Sequence, residues 1–219
     1  MDQAIRSREA SELQHQALVR AARLLASAED FRGTLRQTIG ACLPALADFG
    51  FFDVVQGDAV VRTAVAREPD IEALLASTRW VKQQHSQLNL CALSSGEPAL
   101  HPEIGEEWYR EVAASDDHLR LLRKLAFRSM ITVPVRYRSE LVGALTLFMG
   151  RSGRRHTQQD LAFAGELALL AAPVVVNAKL LEQHREVESA LRGSEERLRR
   201  AVEAGQVVAF DVAHGDSRV

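Results

Sequence analysis

The sequence predicts an α/β (α+β) domain, a central antiparallel sheet with helices on both faces. Three observations carry this. The runs Phe127–Tyr137 and Glu140–Gly150 are β-branched, apolar and of strand length, and they flank Arg138-Ser139, which makes them a hairpin. The second run, Leu141–Met149, is apolar on both parities apart from Thr146, and a strand apolar on both sides is covered on both sides. Thr157 and Asp160 have the spacing of a capping box ahead of an apolar run, which marks a helix start.

Taken from the N-terminus, residues 4 to 27 are helical by period, with Leu13, Leu18, Ala21, Leu24 and Leu25 near one stripe. Asp30 caps a second helix from Phe31 to about Ala47, with Leu35, Ile39, Cys42 and Leu43 inward. Phe49–Val55 and Val60–Ala66 form a hairpin around Gln56-Gly57-Asp58. Asp53 reads either as an outward-facing polar position on a half-covered sheet, the favoured reading, or as a polar group aimed at a pocket. Pro69 opens a helix running to about Gln84. Residues 86 to 102 have no clear period, whereas 106–114 and 116–125 read as short helices, the second started by Ser115 or Asp116. Gly143, alone in an apolar strand, marks close packing by a helix. Pro173 falls inside the helix that starts near Gln158 and predicts a kink. Beyond it, Leu180, His184, Val187, Leu191, Ser194, Leu198 and Ala201 step 4-3-4-3-4-3, a coiled-coil seam.

Composition bounds the function. The chain has 219 residues, 47% apolar and 26% charged, room for one globular domain with extensions. A net charge of −2 predicts neither nucleic-acid binding nor attraction to an anionic membrane. No apolar run approaches the roughly 18 residues that span a bilayer, and the N-terminus lacks the apolar core of a secretory signal. The expectation is a cytoplasmic protein without membrane insertion. Cys42 and Cys91 are far apart and lack CxxC spacing, which argues against a disulfide scaffold or a cysteine zinc site.

No catalytic motif is present: no G-x-S-x-G, Walker A loop, H-E-x-x-H or G-x-G-x-x-G. His184 is followed by Arg185, Glu186 and Val187, which is not the context of a phosphoacceptor histidine. No histidine pair has metal-ligand spacing with a carboxylate. The expectation is therefore no catalytic residue, no metal and no enzyme activity in this chain. Trp80, Trp108 and Tyr109 are most of the large amphipathic aromatics, suited to walling a small-molecule cavity or to filling a core.

The order Arg128-Ser129 before a strand, Val133-Pro134-Val135, Leu141-Val142-Gly143-Ala144-Leu145-Thr146-Leu147, Thr157 with Asp160, and a helix ending Val176-Asn177-Ala178-Lys179-Leu180 resembles the C-terminal half of a GAF domain, and more loosely the likeness extends upstream to about Asp30. The resemblance is closest to GAF domains of bacterial multidomain sensors such as sensor histidine kinases. It implies five or six strands, and a pocket on one sheet face walled by the segments between residues 70 and 125. Candidate ligand-binding residues are then Trp80, Trp108, His118, Arg128, Ser129 and Thr132. Bilin-binding relatives anchor pigment on a Cys commonly followed by His; here Cys91 is followed by Ala92, so no covalent bilin is expected and the cofactor is unknown. Ser194–Gly205 resembles the opening of a PAS domain whose first strand would be Val207–Val212. The implied organisation is a dimerisation helix (1–28), a GAF sensor domain (29–180), a coiled-coil linker (181–200) and the start of a PAS domain (201–219). Partners would be a second copy meeting at Leu18, Leu25, Leu180, Val187, Leu191 and Leu198, a small molecule, and a downstream output domain. The alternatives are a ligand-free dimerisation scaffold or, less favoured, a redox enzyme using Cys91.

Overall fold

A computed structural model describes residues 2–26, 31–56, 59–77, 92–113 and 115–215. The chain falls into two units, Met1–Val176 and Asn177–Val219. In the first, α1 (Asp2–Ala26) and α2 (Phe31–Leu46) precede the hairpin β1 (Phe49–Gln56) and β2 (Ala59–Ala66). After α3 (Pro69–Ser77) and the single turn α4 (Ala92–Ser95) come β3 (Ala99–His101), α5 (Glu106–Val112) and α6 (Asp116–Leu125). The hairpin β4 (Ser129–Tyr137) and β5 (Glu140–Met149) leads into α7 (Gln158–Gly215). The five strands form one antiparallel sheet in the order β2-β1-β5-β4-β3.

The central position of β5 follows from its sequence. Leu145 and Leu147 point to one face, with Phe52, Val54, Ile131, Val133 and Val135, into a core shared with α1, α2 and α7. On the other parity Phe148 joins a second core with Phe49, Phe51, Met130, Phe127 and residues of α3, α5 and α6. Both faces are covered, as an all-apolar strand requires. The capping box is formed: the Thr157 backbone N–H donates to Asp160 Oδ2 at 2.8 Å, and the Asp160 N–H donates back to Thr157 Oγ1 at 3.3 Å.

Several expectations change. Gly143 meets a strand, not a helix. A Cβ there would lie 2.4 Å from the Asp53 backbone oxygen of β1. Val135 pairs with Gly143 but Arg136 pairs with Leu141, so Val142 is an extra residue and Gly143 sits at a β-bulge. Residues 99–101, aperiodic in sequence, form β3. Residues 78–91 lie outside the described residues, and with them the end of the helix expected to reach Gln84. α7 continues through Pro173 and through Val207–Val212, where a strand was expected.

Leu25, expected at a dimer interface, is 5% exposed inside the domain's own core with Ala17 and Ala21, and Leu18 packs against that core half-buried. The alanines let α1 approach α2 closely, whereas Leu13 of the same stripe is 56% exposed. By length and composition α7 over Gln158–Glu203 is apolar enough to cross a membrane, contrary to the sequence reading. Its apolar side chains Phe163, Leu167, Ala171 and Val175 are core residues of the first unit. In the second unit Leu180, Val187, Leu191 and Leu198 are 58–68% exposed.

Candidate functional site

The sheet face opposite α1, α2 and α7 is built in three rows that the strand register fixes. The first is Ala66, Phe49, Phe148, Met130 and His101. Aromatic rings fill the space above it. Phe49 and Phe148 stack at 4.7 Å, and Phe127 meets Phe148 edge-on at 4.8 Å and Trp108 at 5.5 Å. The Tyr109 hydroxyl donates to the Phe127 carbonyl and ties α5 to this cluster. The second row is Ala64, Phe51, Thr146, Thr132 and Ala99, and the third Arg62, Asp53, Ala144 and Pro134. Apart from Phe51 and Arg62 on the β1–β2 side, these two rows carry small side chains and the polar groups of Asp53, Thr132 and Thr146.

Asp53 is the principal correction on this face. It is fully buried, not outward-facing. Arg62 Nε and Nη2 donate to its two carboxylate oxygens at 2.6 and 2.7 Å, a bidentate pair. The Arg62 guanidinium carbon lies 4.6 Å from the centre of the Phe51 ring. Thr132 Oγ1 accepts the Ala92 N–H at 3.3 Å and lies 3.1 Å from Thr146 Oγ1. His118, on α6, is half-buried; burial, and after it the Arg62 charge, pushes its ring below the ordinary histidine value. Ser115 caps α6 by accepting the His118 N–H.

The structure divides the residues expected to bind ligand. Thr132 and His118 belong to the small, polar part of this face. Trp108 belongs to the aromatic end, its buried indole nitrogen lacking a hydrogen-bond partner among the described residues. The Arg128 side chain is exposed. Ser129 has the opposite parity to Thr132 and serves another cluster. Its Oγ lies 3.0 Å from His156 Nδ1, donates to the His101 carbonyl at 3.1 Å and accepts the His156 N–H at 2.9 Å. One pocket does not contain both Ser129 and Thr132. Trp80 and Cys91 lie outside the described residues. Asp53, Arg62 and Thr146 are absent from the sequence-based set. Cross-strand register is the signal that finds Arg62: β1 and β2 pair with Gln56 opposite Ala59 and therefore Asp53 opposite Arg62.

Cys42 is buried among α2 core residues, and burial pushes its thiol up to about 12, which leaves it protonated and unreactive. The arginines at 151–155 already have partners. Arg151 pairs with Glu68 and Asp70, Arg154 with Asp48, and Arg155 with Glu103. Among the described residues no group of three or more His, Cys, Asp or Glu converges as a metal site.

A five-stranded antiparallel sheet of order 2-1-5-4-3, with α1, α2 and the first part of α7 on one face and short helices on the other, defines an α+β domain. The chain belongs to the GAF domain family, whose model matches residues 15–175. No curated protein matches significantly. Among solved structures, the GAF domain of an Acinetobacter phosphoenolpyruvate-protein phosphotransferase superposes with a TM-score of 0.56 at 15% identity, covering 78% of this chain and 97% of that one. Free methionine-R-sulfoxide reductase from Neisseria meningitidis, solved with its substrate, gives 0.56 at 16%, covering 79% and 93%. The GAF domain of a protein described as a sensor histidine kinase from Pseudomonas syringae pv. tomato gives 0.54 at 15%, covering 82% and 98%. At these identities the likeness is one of fold.

Proposed function

We propose that this chain is the sensory module of a bacterial multidomain signalling protein, a sensor histidine kinase or a related one. A small molecule or partner binds over the Asp53–Thr132 region of the sheet, and α7 carries the change toward a downstream domain of PAS or output type. The observation that carries this reading is the buried Asp53–Arg62 pair beside His118, a charged centre on a face whose other end is aromatic. Homodimer formation along Leu180, Val187, Leu191 and Leu198 is part of the proposal, because a helix whose apolar stripe is exposed needs a partner to be stable in water. The chain itself is not an enzyme in this reading; the buried, protonated Cys42 leaves redox chemistry without a second reactive thiol. Neither nucleic acid nor a membrane is a partner, and the site of action is the cytoplasm.

One observation favours the ligand-free scaffold as the second reading: Asp53 and Thr132 already have protein hydrogen-bond partners. Native mass spectrometry of freshly purified protein separates the two. A defined non-covalent added mass supports the sensor. A bare mass, with the dimer intact, supports the scaffold.

A further inference from the structure

We propose that the part of α7 in the second unit pairs with the same helix of a second copy, in parallel and in register along Asn177, Leu180, His184, Val187, Leu191 and Leu198, and that the His184 layer makes this pairing pH-dependent. This rests on the homodimer reading above and adds its orientation and its regulation. The 4-3 spacing runs back from Leu180 to Asn177. Asn177, His184, Leu191 and Leu198 therefore occupy one core position of the heptad, and Leu180, Val187 and Ser194 the other. Asn177 and His184 are exposed on the single chain, as are the four apolar side chains of the seam. All of them lie on one helix, and a helix cannot cover its own stripe. Charge selects the partner and its direction. Glu188 and Glu195 flank the seam on one side, and Gln183, Ala190 and Arg197 on the other. In a parallel pair these two sides meet: Gln183 faces Glu188, Ala190 faces Glu195 and Arg197 faces Val202, so no like charges oppose. An antiparallel pair centred on the seam brings Glu188 against Glu195 at both ends, which is repulsive. A second copy running in the same direction is the occupant that the repeat and its flanks fit.

His184 then faces its own counterpart, in a layer bounded by Leu180 and Val187 above and below and by Gln183 at the side. None of these is charged. On its own helix, the one charged side chain a turn away is Glu188, and Arg192 donates to that carboxylate at 3.3 Å. Arg185, next in sequence, adds positive charge and offsets none. Two neutral imidazoles fit such a layer at the modest cost of any polar core position. Two imidazolium ions, close together and away from water, repel each other and lose hydration. Protonation is therefore favoured in the separated chains, where the rings are exposed. An ordinary histidine titrates at about 6.5, so pairing is at full strength above that value and weakens as pH falls below it.

The test is sedimentation equilibrium of the full chain and of His184→Asn at about pH 7.5 and about pH 5.5, with circular dichroism to verify folding. The wild type is expected to be dimeric at the higher pH, with a dissociation constant that rises about ten- to a hundredfold at the lower one. Each of the two histidines contributes up to about tenfold, one unit below its ordinary value. His184→Asn keeps a polar layer that cannot take up a proton, so its constant stays the same within about twofold. Leu191→Cys, mildly oxidised at the higher pH, should form a disulfide between the two copies at this position. Only parallel chains in register bring the position against itself, and peptide mapping identifies the link. A dimer whose constant ignores pH, or a pH effect that persists in His184→Asn, overturns the role of His184. A dimer that does not form this disulfide overturns the parallel seam. A wild type that is monomeric at both pH values overturns the homodimer reading itself, and this proposal with it.

Discussion

Gly143 and Ala126 show how single backbone positions set this fold. A methyl group on Gly143 would sit 2.4 Å from the Asp53 carbonyl oxygen, a backbone atom that cannot swing aside. Gly143→Ala should therefore cost about 1–3 kcal/mol through overpacking at the bulge. Urea denaturation checks this, and an unchanged midpoint would mean that β1 yields freely. Ala126 ends α6 with φ 51° and ψ 35°, a left-handed conformation that penalises any Cβ. Ala126→Gly should stabilise by about 0.5–1 kcal/mol, read as a rise in melting temperature; a fall would show that the methyl group contributes packing there. The glycine was legible in sequence as a close approach, but its neighbour was not. Which backbone meets Gly143 depends on β1 pairing with β5, a contact between residues some ninety positions apart. Asp53 was misread for a related reason. An isolated polar residue in a strand looks outward-facing until its cross-strand partner is identified, and that partner follows from the register of β1 against β2.

At the scale of elements, the β4–β5 hairpin, the capped start of α7 and the helices α2, α5 and α6 were legible, because each carries its own periodicity and end signals. β3 was not. Three residues cannot display a period, and they are a strand only because β4 offers an edge at Met130–Thr132. His156 joins several elements. Its Nε2 lies 3.0 Å from the Leu46 carbonyl at the end of α2, and its Nδ1 faces Ser129 of β4 just before α7 begins. Burial pushes the ring from 6.5 down to about 4. Between those values the unfolded chain binds more protons than the folded one, so stability rises with pH there. The His156 contribution is intact above about 6.5 and is lost as pH falls toward 4, by on the order of 3 kcal/mol. Denaturant unfolding of wild type and His156→Asn across pH 4 to 7 checks this. The variant should lose less stability than the wild type on acidification, and parallel curves would contradict the assignment.

For the whole molecule, the family and the two-faced sheet were legible in the sequence, whereas the site was legible only in pieces. Thr132 and His118 fall on the polar part of the face, but Ser129 does not, because strand parity separates residues 129 and 132. The helical stripes also divide. Ala17, Ala21 and Leu25 of α1 are spent on the domain's own core, while Leu13 of α1 and Leu180, Val187, Leu191 and Leu198 of α7 remain exposed. Leu191→Lys with Leu198→Lys should therefore convert a dimer to a monomer in light scattering at roughly tens of micromolar. Loss of the dimer on truncating α1 alone would contradict that division.

Hydrogen–deuterium exchange on the protein as purified, and again after unfolding and refolding to strip the small molecule that we propose it binds, is the decisive measurement. Removal is expected to raise exchange in β1, β2 and α6, around Asp53, Arg62 and His118, and also to alter exchange in α7 beyond Val176. Exchange that is identical in the two preparations, or changes confined to α1 and α2, would contradict a ligand-responsive sheet face coupled to the exit helix.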